Sequence, residues 1–454
     1  MVDVPVDGWS ADSFRGGQLM IAAPHESEPT YLMRGTRSTG HRFQVPLNHA
    51  NPDGESITVF AREYSSTEHS DDEAARLPWL LFLQGGPGGR GSRVTQLAGW
   101  MKAAAREFRI LMLDQRGTGL STPADERTLP AKGTSAQQAE YLRHFRADSI
   151  VADAEAIRAA LGADPWTVFG QSFGGFCALT YLSFAPEGMA CALITGGLAP
   201  LSGPPERVYR HTFGRVAARN AEYFDTYPED RTVLTRIARH LEEVDERLPT
   251  GERLTARRFQ LVGSYLGGNA RVDGLHYLLE DAFIATEAGE RLSPVFLDQV
   301  QALVSRRSNP LYAVLHESIY CQGEASQWAA WRVLQEFPQF LPEAAEPLLI
   351  GEMVYPWYFD EDPALVPLRE TAQQLASISN WGPLYDPAQL ARNTVPAAAA
   401  VYSNDIYVDR DLSLETAAAV KGLHVWETAD FHHDGIHDDG ETIFNRLLAL
   451  AHGR

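Results

Sequence analysis

One stretch constrains this chain more than any other: VFGQSFGGF, Val168 to Phe176, sets a serine between glycines directly after a run of apolar β-formers. Gly170-Gln171-Ser172-Phe173-Gly174 fits G-x-S-x-G, the tight strand-to-helix turn that exposes a nucleophilic serine at the edge of a parallel sheet. The motif alone proves little. Its meaning depends on whether the chain also supplies a base, an acid and an oxyanion hole in a compatible order.

The flanking sequence supplies the sheet. HRFQVPL, SITVFAREY, PWLLFLQ, FRILMLDQ, WTVFGQ and CALITGG read as strands alternating with helical stretches, the pattern of an α/β protein with a mostly parallel sheet flanked by helices. AREYSSTEHSDDEAARL, between two of them, reads as a polar surface loop. From about Leu201 the pattern turns helical, with no clear strand for nearly two hundred residues. Leu234, Ile237, Leu241, Val244 and Leu248 recur at 3-4 spacing, which places them on one helical face. Ser293 and Pro294 read as the N-cap and first turn of a helix, and ASQWAAWRVLQEF as another amphipathic segment with Trp328 and Trp331 in the core. Strand character returns at VPAAAAVYSNDIYV and LHVWETADF before a final helix, GETIFNRLLALAH. The expected organisation is one α/β core in two segments, residues 1–200 and 390–454, interrupted by a large helical insertion at 201–389.

With 454 residues there is ample material for a large core, and no apolar run approaches the roughly 20 residues that span a membrane. The 59 acidic against 39 basic residues give a net charge of −20, which repels nucleic acid and anionic lipid. Three widely spaced cysteines, Cys177, Cys191 and Cys321, argue against a disulfide framework or a clustered metal site. The N-terminal MVDVPVDGWSADSFRGG lacks the basic start and apolar run of an export signal, so a cytoplasmic location is expected. Nothing in the sequence specifies an oligomeric state.

A serine hydroxyl is a weak nucleophile until a histidine takes its proton, and that histidine needs a carboxylate to fix its tautomer. With the serine on a middle strand, the chain order is serine, acid, histidine. Asp405 is the first carboxylate after the strand AAAAVYS, at the edge from which the loops of parallel sheets emerge. Asp409 and Asp411 follow, just before the helical LSLETAAAV, and fit a helix start. DFHHDGIHDDG supplies His432, His433 and His437; His433 leads because Asp434-Gly435 behind it makes a turn that points it back over the sheet. A histidine-rich tract also suits a metal, but no second cluster of ligands accompanies it.

The tetrahedral intermediate needs two N–H donors. Phe173, after the serine, offers one, and the loop LFLQGGPGG offers the other among Gly85, Gly86, Gly88 and Gly89, where glycine lets the backbone approach the reacting carbonyl. LDQRGTGLS lacks any phosphate-loop pattern, and its Asp114 and Arg116 read as a buried pair holding the turn. Cys177 reads as buried packing.

These pieces, GGPGG, DQRGTGLS, GQSFGGF, YSNDIYVDRDLS and FHHDG, resemble in kind and order the prolyl aminopeptidases, also called proline iminopeptidases, of the α/β-hydrolase fold. HRFQVPLNHANPDGESITVFARE looks like the opening of the longer bacterial members. The resemblance implies Ser172 as nucleophile, Asp405 as acid, His433 as base, and Gly86 and Phe173 as oxyanion donors. It further implies removal of an unblocked N-terminal residue, preferably proline, from peptides, without metal or organic cofactor. Family enzymes read the free imino group with cap carboxylates. Glu317, in YAVLHESIYCQGEAS, and Glu352, in LLIGEMVYPWYF, are the leading candidates, with Glu324 behind them, and Tyr355, Trp357 and Tyr358 are available to wall a proline ring. Gln84 stands where many shorter members have histidine. A carboxylesterase or amidase, or a di- or tripeptidyl aminopeptidase, on the same scaffold is the alternative.

Overall fold

A computed structural model describes residues 22–287 and 289–454. The N-terminal stretch read above for targeting lies outside the described residues. In chain order the strands are β1 (His25–Ser27), β2 (Tyr31–Met33), β3 (Thr36–Pro46), β4 (Ser56–Ser66), β5 (Trp79–Leu83), β6 (Arg109–Asp114), β7 (Trp166–Gln171) and β8 (Met189–Thr195). The hairpin β9 (Phe283–Thr286) and β10 (Gly289–Leu292) follows, then β11 (Ala397–Tyr402) and β12 (Leu423–Thr428).

All but the hairpin join one ten-stranded sheet, ordered β1-β3-β4-β6-β5-β7-β8-β11-β12, with β2 alongside β3. From β6 to β12 neighbouring strands are parallel, and the N-terminal strands extend the sheet antiparallel through β4 against β6. Parallel strands are covered on both faces and so read as continuous apolar runs. The two-residue period still sorts them: Leu81 and Leu83 of β5 enter one core, Leu80 and Phe82 the other. In β11, Ala397, Ala399 and Val401 face the first core, while Ala398, Ala400 and Tyr402 face the second. Helices Ala147–Ala160 and Phe173–Phe184 cover one face; Gly99–Ala104 and Gly435–Ala451 cover the other.

β11 pairs with β8 although about two hundred residues separate them in sequence, so the chain leaves the sheet after β8 and returns beside it. The intervening helices, Pro205–Thr226, Asp230–Glu243 and Pro294–Val304 among them, build a third apolar core of their own. Leu234, Ile237 and Leu241 are buried in it, whereas Val244 ends its helix and Leu248 reaches the same core from the following loop. Ser293 caps its helix by accepting from the Phe296 N–H at 3.1 Å, with Pro294 first in the helix.

Four sequence expectations are corrected. The insertion contains the β9–β10 hairpin, whose strands of four residues are mostly exposed and too short to show an alternating pattern. In the stretch read as a loop, β4 continues to Ser66, and a short helix, Asp71–Ala74, follows under a Ser70–Glu73 capping box. Trp331 is 36% exposed and Trp328 half-buried, because the helix there, Ala329–Leu334, is too short to bury both. Asp114 and Arg116 do not pair: Asp114 binds Arg93, and Arg116 reaches across to Asp153, which also meets His49. β6 ends at Asp114 and Arg116 lies in the turn after it, so strand alternation does not relate the two and each side chain finds a partner of its own.

Candidate active site

The functional residues converge at the C-terminal ends of β5, β7, β11 and β12, where parallel sheets present their loops. Ser172 follows β7 directly. Its backbone is left-handed, φ +54° and ψ −123°, a strained state for a residue with a side chain. The glycines around it are required by packing: a Cβ on Gly174 would lie 1.9 Å from the Leu83 carbonyl oxygen, and one on Gly170 2.3 Å from the Gly174 oxygen. The helix Phe173–Phe184, buried throughout, therefore presses its first turn onto β5 and β7 and holds Ser172 at the apex.

His433 Nε2 lies 2.9 Å from Ser172 Oγ, and its Nδ1 lies 2.8 Å from Asp405 Oδ2. An ionised carboxylate only accepts, so the neutral imidazole donates from Nδ1 to Asp405 and accepts the serine proton at Nε2. Asp405 is itself held: its Oδ1 accepts the Tyr407 and Val408 N–H groups at 2.8 and 3.0 Å, leaving Oδ2 for the histidine. The Tyr407 ring packs edge-on against His433 at 4.9 Å. Burial opposes a charge on His433, but the Asp405 carboxylate outweighs it through space and by hydrogen bond, raising the imidazole to about 9.

The other candidates on these loops have separate places. Asp409 caps the helix Arg410–Ala419, accepting the Asp411 and Leu412 N–H groups, and pairs with Arg215 and His211. His432 Nδ1 sits 3.1 Å from the Asn404 carbonyl, and His437 faces the cavity in front of Ser172. Asp434-Gly435 leads straight into the helix Gly435–Ala451 rather than forming an isolated turn. Gly86, at φ +151°, lines the cavity. Phe173 is the first residue of its helix, so its N–H has no intrahelical acceptor.

The cavity, about 290 Å³, lies between these loops and the insertion, and Gln84, Tyr312, Tyr407 and Glu352 also line it. Glu352 keeps 21% of its side chain accessible; burial pushes its carboxyl up to about 7, against the pull of His433 and Tyr312. Glu317 is not among the lining residues. Its Oε1 and Oε2 accept the Ala330 and Ala329 N–H groups at 2.9 and 3.1 Å, closing the start of a helix, and burial raises it too to about 7. Glu324 is not among the lining residues either. Tyr355 stacks on Trp357, and Tyr358 meets Trp357 at a tilt and Tyr355 edge-on, within the core of the insertion.

Sequence reasoning missed the arginines. Arg146, buried, donates to the Ser318, Cys321 and Gly382 carbonyls and ties the sheet to the insertion. Arg271 and Arg306 line the cavity, and nothing in NARVDG or SRRSNP marks them out. Tyr407, two residues beyond Asp405, could have been found from its spacing alone.

A family model described as alpha/beta hydrolase fold matches residues 78–252. A proline iminopeptidase of Aeromonas sobria is 48% identical over 92% of this chain and 98% of its own length. The proline iminopeptidase aneH of Aspergillus aculeatus is 36% identical over 92% of this chain and 94% of its own. A shorter proline iminopeptidase of Neisseria meningitidis is 31% identical over 30% of this chain and 38% of its own length. On full-length likeness to the first two, and on the fold just described, this chain belongs to the proline iminopeptidase family of α/β hydrolases.

Proposed function

We propose that this protein is a serine exopeptidase that releases an unblocked N-terminal residue, preferably proline, from peptides. The observation that carries the reading is the shared cavity: Ser172, hydrogen-bonded to His433, and the carboxylate of Glu352 face the same 290 Å³ of space under the insertion. In this reading residues 201–389 are the cap, Glu352 holds the protonated imino group, and Glu317 braces the cap from behind. His433 accepts the proton of Ser172 as its oxygen attacks the carbonyl of the first residue. The oxyanion rests on the N–H groups of Phe173 and Gly86, and the imidazolium then protonates the leaving amine. Water activated by the same histidine releases the acyl group. A blocked N-terminus would leave the Glu352 carboxylate unpaired in a half-buried site, which is the source of selectivity.

No step calls for a metal or organic cofactor. A cytoplasmic location belongs to the same reading, supported by three cysteines that are all free and buried. No helix among the described residues is long and apolar enough to cross a membrane. The test is hydrolysis of proline p-nitroanilide beside its N-acetylated form, with Ser172→Ala as blank. Cleavage of the free form alone supports the reading; equal cleavage of both moves the function to an esterase or amidase.

A further inference from the structure

One ion pair in the wall of the cavity joins the insertion to the loop that carries the base. Arg271, in the first turn of the helix Asn269–Glu280, meets Asp434, the residue directly after His433. The pair belongs to a clip between the two segments. Asn269 Nδ2 donates to the Asp430 carbonyl at 2.9 Å, and the Asp434 N–H donates to the Gly267 carbonyl at 3.2 Å. Gly268 permits this close approach: a Cβ there would lie 3.1 Å from Arg271 Nε and 3.1 Å from Asp434 Oδ2. Asp434 stands at the N-cap of the helix Gly435–Ala451, a position where an acid ordinarily caps, yet its side chain makes no hydrogen bond to that helix. The carboxylate is turned to Arg271 instead.

The neighbourhood of His433 gives this pair its meaning. Asp405 and Tyr407 face the imidazole from the loop after β11 and Ser172 meets its Nε2, while Glu352, Arg306, Arg271, Asp434 and His437 share its cavity. Asp405, Glu352 and Asp434 all favour the charged imidazolium. An imidazolium cannot take the serine proton, so an uncompensated acid beside the base opposes the first step. Asp405 is needed to orient the ring, and Glu352 is needed for the imino group; Asp434 has neither task. We infer that Arg271 is a positioning residue for His433: through Asp434 it holds the loop of the base against the insertion and cancels the acid's charge beside the imidazole. The inference rests on the serine and histidine mechanism proposed above and adds a residue to it.

The pH profile of kcat/KM on proline p-nitroanilide, at low ionic strength, tests this in full-length wild type, Arg271→Gln, Asp434→Asn, the double variant and Arg271→Lys. Arg271→Gln leaves Asp434 uncompensated and stabilises the imidazolium. Its acid limb should move up by about 0.5–1 pH unit, with kcat/KM below the limb lower by about 3–10-fold. Asp434→Asn leaves Arg271 uncompensated and should move the limb down by a similar amount. Removal of both charges should return it near wild type, and Arg271→Lys should hold it there. The substrate's own imino group titrates alike throughout, so the differences belong to the enzyme. A clip that acted by mechanics alone would lower kcat/KM at every pH, most of all in the double variant, without moving the limb. That result, a limb that stays in place in either single variant, or limbs that move the same way in both, overturns the inference. Failure of wild type to cleave proline p-nitroanilide at all would instead overturn the underlying reading.

Discussion

The strand ends of the core and the underside of the insertion build one cavity between them by different rules. At the core, local backbone geometry dictates position: Ser172 must sit at φ +54° on a glycine-cleared turn, and Asp405 is locked by two N–H groups of its own loop. In the insertion, tertiary surroundings dictate role. Glu317 and Glu352 are both acids among apolar neighbours, and burial pushes both to about 7, yet one closes a helix start and the other faces the serine. A motif can therefore name a residue in the first region, while in the second only a partner can.

The contrast breaks first at the core. Ser172→Ala should cut turnover by about 10⁶-fold, the scale seen when such a nucleophile is removed, with the fold intact by circular dichroism. Asp405→Asn should cost about 10⁴-fold, because an amide at that position selects the wrong imidazole tautomer. Asp409→Asn, four residues on, should leave turnover within a few-fold. The reverse result would show that the acid had been misassigned.

The insertion should give a smaller and more selective effect. Glu352→Gln removes a charged acceptor from the imino group, a loss of roughly 1.5–3 kcal/mol, or about 10–150-fold in kcat/KM on substrates with a free N-terminus. The N-acetylated substrate should lose much less. Glu317→Gln should leave that ratio unchanged, since its carboxylate is occupied by Ala329 and Ala330. If Glu317→Gln collapses the ratio and Glu352→Gln does not, the two roles must be exchanged.

What the sequence revealed follows the same division. The strands from β3 to β8 announced themselves by apolar runs, and Ser172, Asp405 and His433 by chain order, because a parallel sheet brings successive strand ends to one edge whatever lies between them. The β9–β10 hairpin was illegible, being short, exposed and flanked by helices. The pairing of Asp114 and Arg116 was misread because neighbours in sequence were taken as neighbours in space; their partners, Arg93 and Asp153, lie 21 and 37 residues away. Arg306 gave no signal, since nothing in SRRSNP distinguishes an arginine that lines the cavity from one on the surface.

The last prediction sets Glu317 against His433 by pH. The folded protein holds Glu317 at about 7, above the ordinary value of 4.5, so between those limits the native state binds more protons than the unfolded chain. Stability from this group is therefore fully present below about pH 4.5 and is lost as pH rises toward 7. Glu317→Gln cannot titrate, so its Tm should fall less than that of wild type between these limits. Over the whole interval the difference should be about 3 kcal/mol, or roughly 3–6 °C for a chain of this length. Activity moves oppositely: His433 must be neutral to accept a proton, and at about 9 its pKa makes kcat/KM rise with pH well past neutrality. Glu317→Gln should leave that rise in place, because its carboxylate belongs to the frame of the cap and not to the cavity.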